Sequence, residues 1–244
     1  MRNAIQKNAK VLALFAIVCT TIVGLVHLLT KDKIEQQKQL QLLNRLSQVI
    51  APSLYNNEII NDCIIVPKIK SEELITTALL TKEKIGTPIE DSSLEIATNE
   101  QPIKINKQNA LKAYIATYND KPVAMAITTV APDGYNGNIE LLVGINTNGV
   151  VSGVRVLEHK ETPGLGDKIE ISRHPWITSF KNTELNGIPD PRWNVAKDGG
   201  MFDQFTGATI TPRAVVKAVY NTVVYFNKNK QQLFKLPRNC GELK

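Results

Sequence analysis

A threonine-bearing turn ahead of a helix is where the residue types of this chain point to chemistry. Thr206-Gly207-Ala208-Thr209 is followed by Ile210-Thr211-Pro212, and Ala214, Val215, Ala218, Val219 and Thr222 then recur at helical spacing. Thr211 is a good N-cap and Pro212 suits a first helical position, so a helix is predicted to start just after Thr209 and to run to about Asn227. The first N–H groups of a helix lack internal acceptors and lie at the positive end of its dipole, so they would receive a phosphate carried on Thr209. These residues alone leave two readings open, an anion site and an ordinary helix cap.

A second segment, His159-Lys160-Glu161-Thr162-Pro163-Gly164-Leu165-Gly166, places a proline and two glycines beside a histidine and a glutamate. By itself the Pro-Gly pair marks only a turn. The first segment is preceded by Asp203-Gln204-Phe205 and continues as Thr211-Pro212-Arg213-Ala214-Val215-Val216, and both segments stand behind a single N-terminal apolar span. In that order they resemble the flavinylation motif and the companion signature of the G subunit of the Rnf/Rsx ion-translocating oxidoreductases. The C subunit of the sodium-pumping NADH:quinone oxidoreductase is similar in both motifs, but the Pro-Arg-Ala-Val-Val continuation is closer to the G subunit. The resemblance covers most of the chain from the span onward, with Tyr55 to Lys107 contributing little.

This resemblance implies FMN joined through its phosphate to the hydroxyl of Thr209, a phosphodiester with no bond to the isoalloxazine ring. Thr206, Gly207, Ala208 and Thr211 would surround the linkage. Glu161, Thr162, Leu165 and Gly166 would meet the ring, which needs apolar surface and hydrogen-bond donors, and Lys168 would tune it electrostatically. Phe202 and Phe205 are candidates to pack beside the ring or in the core, Tyr135 is a further candidate neighbour, and Asp203 matches the acidic position of the motif. A neutral alcohol is a poor nucleophile toward a phosphoanhydride without a base and a metal. A separate flavin transferase is therefore implied, Mg-dependent and using FAD as donor. Thr209 is then a tether, with no catalytic residue and no metal site expected in this chain. The resemblance further implies a relay role beside the other subunits of an Rnf/Rsx-type complex, which exchanges electrons between ferredoxin and NAD and moves ions. A different class of reading, a non-redox assembly or anchoring subunit, would reduce the threonine turn to a helix cap.

The elements that must position these residues begin with Val11 to Leu29, which contains no Asp, Glu, Lys or Arg. As a helix it would extend roughly 28 Å, close to the hydrocarbon thickness of a bilayer. The segment at its end, His27-Leu28-Leu29-Thr30-Lys31, offers no small-x-small cleavage pattern, so an anchor is expected and not a removed signal peptide. Residues 1–10 are read as a cytoplasmic N-terminus, 11–29 as a transmembrane helix and 30–52 as a juxtamembrane amphipathic helix ending at Pro52. The short basic N-terminus favours retention in the cytoplasm, and the resemblance implies a bacterial inner membrane with residues 53–244 forming a periplasmic FMN-binding domain.

That domain is expected to be α+β, with an antiparallel sheet and flanking helices. Ile64-Ile65-Val66 is a short strand candidate. Tyr114 to Tyr118 and Val123 to Val130 flank a turn at Asn119-Asp120-Lys121-Pro122. A second hairpin joins the alternating Ile139, Leu141, Val143 and Ile145 to Val150, Ser152, Val154 and Val156 through Asn146-Thr147-Asn148-Gly149. Pro175 to Phe180 is a short helix candidate, and Glu72 to Leu80 another. No function is legible in residues 67–107.

The formal charge of +6 comes from Lys and Arg scattered among acids, with no basic, aromatic-bearing patch for nucleic acid. The three cysteines, Cys19, Cys63 and Cys240, form no C-x-x-C and lie at no metal-ligand spacing. Cys19 falls inside the span as a packing residue. Under the proposed topology Cys63 and Cys240 share an oxidising compartment, so a disulfide between them is a hypothesis. His27, near the outer end of the span, reads as an interfacial or partner-facing neutral histidine.

Overall fold

A computed structural model describes residues 2–67 and 110–240. Its first element is α1, Arg2–Val49. Among the described residues this is the one helix long and apolar enough to cross a membrane, with a mean hydropathy of 2.5 over its apolar window and none of that window buried. Thr20, Thr21 and Thr30 would be costly polar groups there, but each hydroxyl donates to a carbonyl one turn back, on Ala16, Ile17 and Val26. The chain divides into two compact units, Met1–Asn44 and Arg45–Lys244.

Within the second unit, β1 (Cys63–Pro67), β2 (Ala110–Tyr118), β3 (Lys121–Gly134), β4 (Gly137–Asn146) and β5 (Val151–Glu158) form an antiparallel meander in sequence order. The expected turn at 119–122 is shorter than the sequence pattern suggests. Asn119 and Asp120 both adopt left-handed backbone, with φ of 50° and 60°. That is the two-residue turn whose twist matches the flanking strands. Lys121 and Pro122 therefore join β3, and a register shift between Ala116 and Thr117 accommodates them. The second hairpin forms as expected. The expected helix at Glu72 to Leu80 lies outside the described residues.

Alternation along the strands sends Ile115, Ile127, Val143 and Val154 to one face. There they meet α2, Ile210–Leu233, whose Val215, Val219, Val223 and Phe226 are buried at helical spacing. Burying each such side chain contributes about 1.5–3 kcal/mol. The helix is longer than the expected run to Asn227 because its apolar stripe continues to Leu233, which is fully buried.

The other face presents a row of partners across the sheet, Tyr114, Ala126, Gly144 and Gly153. The two glycines open a notch for the chain end of α1: Ser152 Oγ donates to the Val49 carbonyl at 2.6 Å, and Arg155 Nε donates to Gln48 Oε1 at 2.8 Å. A Cβ on Gly153 would stand 3.1 Å from Val49 Cα and 3.3 Å from its carbonyl oxygen. Gly153→Val should therefore destabilise the domain by about 1–3 kcal/mol, the usual result of forcing atoms into a packed site. Urea unfolding of the full chain in mild detergent, followed by tryptophan fluorescence, checks this, and an unchanged midpoint would contradict the packing account.

The chain after α2 returns to the sheet edge. Cys240 forms a disulfide with Cys63, with Cα atoms 5.6 Å apart, and Arg238 Nε pairs with the Asp62 carboxylate. The hypothesised pairing is present, while Cys19 is a free thiol on the apolar part of α1.

Candidate functional site

The threonine turn is built on an aromatic base. Phe180 stacks on Phe202 at 4.4 Å and Trp176 meets Phe205 edge-on at 5.0 Å, while the Trp176 indole N–H donates to the Asp203 carbonyl at 2.7 Å. Both Phe202 and Phe205 are buried. Next to them the 184–193 loop is organised by the buried Asp190, which accepts from the Asn186 and Arg192 N–H groups and from the Arg192 guanidinium. The bonds from Arg192 hold that carboxyl down to about 2.

Above this base, Ala208 N–H donates to the Phe205 carbonyl and Gly207 takes a φ of 81°, a left-handed conformation that glycine adopts without strain. Here the structure corrects the expected cap. Helix α2 starts at Ile210, so Thr209 is the cap residue and Thr211 lies inside the first turn. The reason is a partner remote in sequence: the Thr211 hydroxyl donates to the Glu161 carboxylate and is unavailable as a cap. Pro212 becomes the third helical residue, which costs no bond because first-turn N–H groups have no intrahelical acceptor.

The threonines thus have different fates. Thr211 is 1% exposed and committed to Glu161. Thr206 is exposed. Thr209 is half-buried, and its side chain makes no capping hydrogen bond.

Glu161, 4% exposed, ties together three segments of the site. One oxygen accepts from Thr211 Oγ1 and the other from the Asn136 N–H at 3.0 Å, in the turn between β3 and β4. Its own N–H donates to His159 Nδ1 at 3.0 Å, which leaves the imidazole proton on Nε2 to be donated to Glu170 Oε1. His159 is therefore a bracket for the loop. Asn136 Nδ2 also donates to Thr162 Oγ1 at 3.3 Å. The amides of Leu165, Gly166 and Asp167 converge on the Thr162 carbonyl, so the Pro-Gly loop closes on itself and offers side chains toward the site.

Between this loop and the threonine turn lies a cavity of about 280 Å³, lined by Glu161, Thr162, Leu165, Gly166 and Tyr135 on one side and by Gly207, Ala208, Thr209, Ile210 and Thr211 on the other. Most of the predicted ligand-binding residues are brought together here. Leu165, Tyr135 and Ile210 are large apolar side chains left exposed beside Thr209. Thr206 and Lys168 line a separate, wider cleft of about 570 Å³ with His174, Trp176, Asp203 and Phe205. The turn separates the two recesses. Ile210 and Asn136 were not expected at the site. Ile210 reads in sequence only as a helix residue, and Asn136 only as a turn residue.

Chemically, the cavity combines an uncommitted hydroxyl, helix-start N–H groups beside it and apolar side chains at its mouth. That set fits an esterified phosphate carrying a flat ring. Among the described residues no group of three His, Cys, Asp or Glu side chains could hold a metal ion.

Residues 134–224, which include both walls of the cavity, match the FMN-binding domain family, and residues 1–49 match the RnfG N-terminal region. The chain is 47% identical over 240 residues to the G subunit of the ion-translocating oxidoreductase complex of Shewanella baltica, covering 98% of each chain. It is 46% identical over 241 residues to the G subunit of the same name in Vibrio atlanticus, covering 99% of each. It is 43% identical over 240 residues to that of Vibrio cholerae serotype O1, covering 98% of this chain and 99% of the other.

Proposed function

Because this chain belongs to the family of G subunits of ion-translocating oxidoreductase complexes and contains an FMN-binding domain, we propose that it is a membrane-anchored electron relay whose FMN is held covalently through a phosphodiester to Thr209. The observation that carries the reading is the Thr209 hydroxyl, free of any capping bond at the start of α2 and lining a cavity inside the matched domain. FMN supplies one- and two-electron redox chemistry when bound. The chain's own residues hold it: Thr209 by the ester, the first turn of α2 by N–H groups toward the phosphate, and Leu165, Tyr135 and Ile210 by apolar surface.

Attachment is the work of a flavin transferase. The Thr209 oxygen attacks the FMN-side phosphorus of FAD, the new phosphoester bond replaces the phosphoanhydride, AMP leaves, and the hydroxyl proton passes to a base on the transferase. Thr206 and Asp203, which line the second cleft beside the turn, are accessible to such an enzyme. Helix α1 anchors the domain in the inner membrane with its large domain on the periplasmic side, where a noncovalent cofactor once lost could not be recovered. The relay joins the other subunits of the complex, which exchanges electrons between ferredoxin and NAD.

Coexpression of the full chain with a flavin transferase should give a fluorescent band at its mass on a denaturing gel under ultraviolet light. A colourless, non-fluorescent band alongside a working positive control would remove the proposal and favour a helix cap without redox function.

A further inference from the structure

Of the described residues that line the Thr209 cavity, Glu161 alone carries a charge. Its surroundings are shaped around that charge. Both carboxylate oxygens are hydrogen-bonded, Oε2 to Thr211 Oγ1 and Oε1 to the Asn136 N–H, so the side chain is held at two points in the wall. The flanking glycines give it room: a Cβ on Gly134 would lie 3.0 Å from Oε1, and one on Gly166 would lie 2.8 Å from Oε2. At 4% exposure the charge is shielded from counterions. Lys168, the cation expected to act on the ring, lines the other cleft.

We infer that Glu161 is an electrostatic positioning residue, which clamps the walls of the cavity together and, as the one charge-bearing side chain of its lining, holds the reduction potential of a flavin seated there low. This rests on the FMN reading above. Reduction delivers an electron to the ring, and a fixed negative charge in the wall opposes that arrival whether or not it touches the ring. Across a cleft on the order of 10 Å, with an effective dielectric of about 20, the opposition is roughly tenfold in the one-electron equilibrium. A tenfold change corresponds to about 59 mV.

The clamp and the charge are separable by substitution. Glu161→Gln keeps the side-chain shape: its amide oxygen still accepts from Asn136, and its amide group still meets the Thr211 hydroxyl, which rotates to accept. Thr211→Val removes one donor and leaves the charge in place. Redox titration of the flavin spectrum in purified full-length protein, loaded by coexpression with the transferase, distinguishes the two effects. E161Q should raise the one-electron midpoint potential by about 59 mV, the equivalent of that tenfold change, while T211V should produce no rise. Equal potentials in wild type and E161Q, or an equal rise in both variants, would overturn the inference while leaving FMN attachment intact. Failure of E161Q to load flavin would also overturn it, by assigning the charge to attachment. A wild-type protein without flavin would defeat the FMN reading, and this inference with it.

Discussion

Thr209→Ala should abolish covalently held flavin and leave the folded protein almost unchanged. An N-cap threonine replaced by alanine ordinarily costs about 0.5–2 kcal/mol, because the side-chain oxygen is lost as an acceptor for a helix-start N–H. At Thr209 that bond is not made, so the stability change should stay within about 0.5 kcal/mol. The effect on attachment is all or none, since no other atom of residue 209 can form the ester. In-gel fluorescence after coexpression with the transferase reads the first effect and urea unfolding reads the second. Thr211→Val gives the opposite pattern. Its hydroxyl is the partner of a buried carboxylate, and removing one partner of such a pair costs about 1–3 kcal/mol, while the attachment oxygen stays in place. A fluorescent T209A protein, or a T209A protein that unfolds like T211V, would contradict the division of labour between these threonines.

Removing the Cys63–Cys240 disulfide is the second large effect. The two cysteines are 177 residues apart in sequence. A cross-link that closes a long loop restricts the unfolded chain strongly, and loss of a native disulfide typically costs about 2–5 kcal/mol. The bond also fixes the C-terminal tail to the edge strand β1, beside the Arg238–Asp62 pair. The double variant Cys63→Ser, Cys240→Ser should lower the urea midpoint correspondingly, with Trp176 and Trp193 as buried reporters. Reducing agent should bring wild type to the same value and leave the variant unmoved. A variant with the wild-type midpoint would show that the cross-link contributes nothing to stability.

The parts of this fold that can be read from sequence are those encoded by local periodicity. The alternating runs around Asn119-Asp120 and Asn146 to Gly149 specify two hairpins, and they form. The apolar stretch of α1 is equally direct, because its length and lack of charge are visible in any window. What fails to show is anything that depends on a partner distant in sequence. Thr211 looks like an N-cap because its neighbours are right for one, and nothing nearby reveals that Glu161, 50 residues away, takes its hydroxyl. Gly144 and Gly153 look like strand weaknesses until the register places them side by side under Val49. Lys168 follows closely on the Pro-Gly loop, yet the short helical turn Gly166–Ile169 carries it to the second cleft. In the same way, Glu161 reads in sequence as one more candidate contact for a ring, and only its buried, doubly bonded carboxylate shows a clamp.

These two levels meet at the cavity. Local sequence supplies the small-residue turn and the helix start, and long-range packing commits Thr211, exposes Thr206 and leaves Thr209 with a hydroxyl available for bonding. The proposed covalent linkage depends on that selection.

The most direct measurement is therefore peptide-resolved mass spectrometry of the full-length protein coexpressed with a flavin transferase. The peptide containing Thr206 to Thr211 should gain the mass of FMN less one water, with fragment ions placing the addition on Thr209. An unmodified peptide from protein that nonetheless carries tightly bound FMN, or an addition placed on Thr206 or Thr211, would contradict it.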